Sequence, residues 1–160
     1  MSEKPTLEET ANWQRRLASQ ANNRAWSLSE SRVRTPEEDD EMLQAAHTAM
    51  YLWTAVGNEK AQAHAAQLVA HVYALLGMGS EASRYQTRSQ PIFFGEGTPL
   101  WEVALAHAVA ANVAAVNKDT TAHNQHYRKA IALVAALPDP EDRQILEATL
   151  NVVPLPDAFV

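Results

Sequence analysis

The sequence predicts an all-α chain of about seven helices, and three observations carry that reading. Alanine and leucine abound while only 5 glycines occur in 160 residues, a balance that favours helix over sheet. Apolar residues recur at three- and four-residue spacing along most of the chain. Helix-start signals divide the chain into segments of helical length: Thr6 with Glu9, Thr35-Pro36, Asn58, Ser80, Thr98-Pro99 and Asp139-Pro140.

Helix one is expected over 7–29. Thr6 and Glu9 have capping-box spacing, so each satisfies an orphaned backbone N–H of the other. Leu7, Ala11, Leu17, Ala21, Ala25 and Leu28 form the inward stripe, widened by Trp13 and Trp26. Helix two is expected over 36–56, with Thr35 as cap and Pro36 in the first helical position. The acidic run Glu37 to Glu41 complements the helix macrodipole at about 0.3–1 kcal/mol per carboxylate. Arg32 and Arg34 stand ready to offset it. Met42, Ala45, Ala49, Leu52, Trp53 and Val56 turn inward, and Gly57 is expected to close the helix in a left-handed cap.

Helix three, expected over 59–76, is apolar almost all round, as a helix sandwiched between neighbours must be. One polar stripe interrupts it: Lys60, His64, Gln67 and His71. Helix four is expected over 81–90, capped by Ser80 and stopped by Pro91. The run Ile92-Phe93-Phe94-Gly95-Glu96-Gly97 then reads as the longest loop of the core region. Its large apolar residues either plug a gap in the body or form a docking knob. Helix five, 99–116, opens on Thr98-Pro99 and carries Trp101 followed by many alanines, which let neighbouring backbones approach closely. Helices six and seven follow over 121–136 and 140–150. The tail, 152–160, holds two prolines and cannot be regular helix; it either folds back over the last hairpin or is offered to a partner.

Length and composition fit one domain spanning 1–160, large enough to bury roughly two thirds of its unfolded surface. The formal net charge of −6 argues against nucleic acid and anionic membranes as partners, since both select basic surfaces. Cysteine is absent, which excludes disulfides and thiolate catalysis and fits a cytoplasmic setting. Met1 to Thr10 lacks the apolar core of a signal peptide. The most apolar stretch, Ala61 to Leu76, is broken by His64, Gln67 and His71, short of the ~20 apolar residues a membrane helix needs.

Catalytic and cofactor motifs are missing: no nucleophile elbow, no phosphate loop, no dinucleotide fingerprint. No cofactor and no enzymatic activity are therefore expected. Six histidines leave a metal alternative open. His64 and His71 lie two turns apart, too far for one metal unaided, but His47 and His107 could join them from neighbouring helices. His123 and His126, three apart, have ligand spacing but read better as a solvated face.

Two segments share a plan. Ala63-His64-Ala65 recurs as Ala106-His107-Ala108, and Tyr85 recurs as Tyr127, at offsets of 43 and 42. Leu68-Val69-Ala70-His71-Val72-Tyr73, Gly77-Met78-Gly79, Ala82 and Tyr85 occupy the small, aromatic and turn positions of a helix hairpin. Together with Tyr127-Arg128-Lys129-Ala130-Ile131-Ala132-Leu133, this pattern resembles the tetratricopeptide repeat (TPR). The departures are a repeat longer than the usual ~34 residues and the absence of the first-helix tryptophan-leucine-glycine pattern. The resemblance implies antiparallel hairpins stacked as a short right-handed solenoid, with helix seven as the terminal cap.

That resemblance also implies a protein- or peptide-binding scaffold. Lys60, His64, Gln67 and His71 would line its concave face, and His107 would extend it. Two alternatives stand beside it: a metal-binding protein or enzyme using His47, His64, His71 and His107, and a structural homodimer joined through Phe93, Phe94 and Phe159.

Overall fold

The computed structural model describes residues 4–157, and among these the chain is helical with no strand. Its seven helices are α1 (Leu7–Ser29), α2 (Pro36–Val56), α3 (Glu59–Leu75), α4 (Gly79–Phe93), α5 (Leu100–Val116), α6 (Thr120–Ala136) and α7 (Pro140–Leu150). None of them is long and apolar enough to cross a membrane.

Capping chemistry explains most of the boundaries. Thr6 with Glu9 and Thr35 with Glu38 both form complete capping boxes. The side chains of Asn58, Asp119 and Asp139 each accept a backbone N–H at the start of α3, α6 and α7. The acidic run of α2 behaves as macrodipole chemistry requires: Arg34 Nε reaches Asp39 at 2.6 Å, and Glu41 is paired with Arg24 at 2.6 Å.

Four helix ends differ from expectation. Gly57 ends α2 in an extended conformation (φ −87°), not a left-handed one. Glycine is needed there for space, because a Cβ would stand 2.6 Å from the Trp53 carbonyl oxygen. α4 begins at Gly79, not after Ser80; Asn117 donates its amide to the Gly79 carbonyl at 3.1 Å, and a Cβ on Gly79 would meet Asn117 Oδ1 at 2.5 Å. α4 also runs through Pro91 to Phe93. A proline inside a helix costs roughly 3 kcal/mol. The extra turn swings Phe93 into a fully buried slot against Ala63 and Ala106, and burying a phenylalanine returns roughly 1.5–3 kcal/mol. Thr98, expected as the cap of α5, lies one residue too early; its hydroxyl is within hydrogen-bond distance of the Ile92 and Gly95 carbonyls and closes the short loop instead.

The helices pack as hairpins, α1 on α2, α3 on α4 and α5 on α6, while α3 also touches α1 and α5, and α5 touches α7. α3 and α5 run in the same direction: His64 and Glu102 meet near their starts, His71 and Asn112 near their ends. They are also matched in length at 17 residues. α5 starts 41 residues after α3, at Leu100 against Glu59, and their closing turns repeat at the same interval. Met78 N–H donates to Tyr73 with Gly77 left-handed (φ 77°), and Asp119 N–H donates to Ala114 with Lys118 left-handed (φ 59°). By this register His71 corresponds to Asn112, its hydrogen-bond partner. The His-Ala triplets at 63–65 and 106–108 are two residues out of phase, and their environments differ accordingly.

One core cluster surrounds α5 and takes in Ala70, Tyr127, Val134, Leu146 and Val153. A second joins α1, α2 and α3 through Leu28, Met42, Leu68 and Val72. α1 begins the stack and has neighbours on one side only, so Leu7 (92% exposed), Trp13 and Leu17 remain in solvent although the helical period places them on or beside the apolar stripe. The tail through Asp157 folds back on the body: Val153 and Pro156 are buried, the His123 ring bonds the Pro154 carbonyl at 2.8 Å, and Arg32 Nε donates to the Asn151 carbonyl at 2.7 Å.

Candidate functional site

The polar stripe of α3 descends from solvent into the core. The Lys60 side chain is 51% exposed and that of His64 is 28% exposed, whereas Gln67 is at 2% and His71 at 0%. Gln67 and His71 therefore do not line an open face, contrary to the sequence reading. The reason is that α1 and α5 close over the later turns of α3: Trp26 stacks on the His71 ring at 5.5 Å, and Asn112 donates to His71 Nδ1 at 3.1 Å.

At the shallow end the decisive residue is Glu102, which the sequence reading passed over. It sits in the first turn of α5, 2% exposed, and its Oε1 receives Lys60 Nζ at 2.9 Å and His64 Nε2 at 2.9 Å. The parallel course of α3 and α5 brings these three together. An acid in a first turn is ordinary macrodipole chemistry, so nothing in the sequence marked it. His64 is clamped further by rings on both sides: Phe93 lies 4.5 Å away, and Trp101 stacks nearly parallel at 5.7 Å and 10°. Nε2 donates to the carboxylate, which leaves Nδ1 as the ring nitrogen outside that bond. Replacing Glu102 with Gln is expected to cost about 1–3 kcal/mol, because the charge-assisted bonds weaken while the site stays buried. Urea titration of the two proteins checks this, and superimposable curves would show that the carboxylate anchors nothing.

His64 and Trp101 line a cleft of about 310 Å³. Asn22, Trp26 and Glu30 of α1 and its cap line it as well, with Leu105 from α5 and Ile145 and Thr149 from α7. Every lining residue thus belongs to the α1, α3, α5 and α7 series. The lining is predominantly apolar, with polar groups at a few fixed points, the composition of a ligand-binding cleft at the small end of the usual size range.

The other histidines lie elsewhere. His47 bonds the Tyr73 hydroxyl at 2.8 Å and meets Tyr85 edge-on. His107, 8% exposed, pairs Nδ1 to Nδ1 with His126 at 2.8 Å beneath Phe94 and does not extend the α3 stripe. Burial, then the adjacent His126 and Lys129, holds His107 down to about 4. Burial, assisted by Arg34, holds His71 down to about 4 as well. Since His71 Nδ1 accepts from Asn112, its proton rests on Nε2, a buried N–H without a partner; Gln67 Nε2 is another. The set His47, His64, His71 and His107 is therefore not assembled, each ring being committed to a different neighbour. Among the described residues no three His, Asp or Glu side chains converge as metal ligands. Of the residues proposed for a homodimer, Phe93 is fully buried, Phe94 is 39% exposed against His107 and His126, and Phe159 lies outside the described residues.

No family model, no curated protein and no solved structure matches the chain.

Proposed function

We propose that the chain is a non-catalytic, TPR-like adaptor that binds a protein or peptide in the cleft between α1, α3, α5 and α7. The single observation behind this reading is that cleft, whose lining comes from the first helix of every hairpin and from α7. Stacked hairpins of the TPR type, right-handed in their superhelix, present that series of helices on one concave side. The 41-residue register shared by α3 and α5, and by their turns, supports a repeat of this kind. The binding face consists of Lys60 and His64 at its edge, with Trp26, Trp101 and Ile145 as its apolar walls. The cysteine-free composition fits a cytoplasmic setting.

The test is capture from extract of the cells that make the protein. Wild type is compared with Trp101→Ala, Ile145→Ser and, as a control on another surface, Tyr51→Ala. Ile145 and Tyr51 are 58% and 75% exposed, so their replacement leaves the fold intact. A prey protein retained by wild type and Tyr51→Ala but reduced at least about tenfold by both cleft variants, as the loss of an anchor of 1.4 kcal/mol or more requires, is the expected result. Equal retention by all four proteins would remove the cleft from the binding face.

A further inference from the structure

We propose that the cleft receives a guanidinium group, the side chain of an arginine in the bound segment; this rests on the reading of the cleft as the binding face. Four observations converge on a cation with an apolar stem. Two tryptophans, Trp26 and Trp101, line the cleft, and indole rings attract cations. Glu30 lines it too and carries the only charge among the lining residues, with no lysine or arginine there to compete. Glu30 is also the C-cap of α1, so the negative end of that helix macrodipole points the same way. The whole chain, at −6, attracts basic partners over long range.

The remaining lining selects guanidinium among cations. Leu105 and Ile145 supply apolar surface for three methylenes. Asn22 and Thr149 offer oxygen acceptors and Glu30 a carboxylate. Several acceptors around an aromatic-lined space suit a planar group with five donors better than a compact ammonium. The charges at the α3 edge are already matched, Glu102 with Lys60.

The test uses Nα-acetyl-arginine amide, its uncharged isostere Nα-acetyl-citrulline amide and Nα-acetyl-leucine amide, titrated into the full chain. Binding is read from the indole N–H resonances of Trp26 and Trp101, assigned with Trp→Phe variants. The arginine amide is expected to bind at least about tenfold more tightly than the citrulline amide, in keeping with a desolvated cation–π contact plus a carboxylate. Glu30→Gln is expected to erase most of that difference. Equal binding of arginine and citrulline amides, or indifference to Glu30→Gln, would overturn the guanidinium assignment. Preference for the leucine amide would overturn it as well while leaving the cleft as a binding face. Silence of both indoles towards all three probes would overturn the assignment and count against the cleft itself.

Discussion

Replacing Phe93 with alanine is expected to lower the unfolding free energy by about 3–5 kcal/mol. The ring is wholly buried in a slot framed by Ala63 of α3 and Ala106 of α5, with Ile92 beside it and the His64 ring 4.5 Å away. Alanines cannot change rotamer to fill the space, so the cavity would persist, and persistent cavities mark the costly end of large-to-small substitutions. The substitution also removes one of the two rings that clamp His64. Phe94→Ala is the matched control: the ring is 39% exposed and its loss is expected to cost far less. Guanidinium titration of the two variants against wild type decides the matter. Similar small losses in both would mean that the slot collapses and that Phe93 does not hold α4 onto α3 and α5.

Mild acid is expected to be the second large perturbation. His71 is neutral in the fold because burial, with Arg34 nearby, holds it down to about 4, against an ordinary value near 6.5 in the unfolded chain. Between these values the unfolded state binds the proton more readily. Stability is therefore complete above about pH 6.5 and declines as the pH falls towards 4. The gap corresponds to about 3 kcal/mol, and His107, held down in the same direction, steepens the decline. Denaturation midpoints measured from pH 7.5 to 4.5 should fall throughout the lower part of that range. In His71→Leu the slope should be shallower, even if the variant is less stable at pH 7 through loss of the Asn112 bond. A wild-type profile that stays flat down to pH 4.5 would show that His71 takes up its proton without penalty.

The helices were legible because their signals are local. Capping boxes at Thr6 and Thr35, and the Asx caps at Asn58 and Asp139, act within one turn, and the alternation of polar and apolar residues needs no knowledge of the partner. The end of α4 was not legible, because Pro91 is a breaker by local rules and only the slot between α3 and α5 outweighs it. The site was legible in part. The stripe from Lys60 to His71 is a real feature of α3, but its depth is set by how far α1 and α5 reach over it, which no property of α3 encodes. Glu102 was invisible for the same reason. Its role comes from the registration of two helices that brings it onto His64, 38 residues earlier in sequence, while its own neighbourhood looks like any acidic first turn. Trp26 was read only as part of the inward stripe of its helix, yet it and Trp101 each stack on a histidine of α3 and also line the cleft.

The contact of Arg32 with the Asn151 carbonyl joins residues 119 apart and ties the loop after α1 to the end of α7. An open array of repeats transmits stability only from one unit to the next, so its ends can fray while its middle persists. Here the loop after α1 and the end of α7 share a bond, and α1 and α7 line the same cleft. The bond couples the two ends of the chain, so that loosening one weakens the hold on the other. An occupant of the cleft would consequently act as a brace between the two ends, raising the melting temperature of the entire chain as well as ordering its own surroundings.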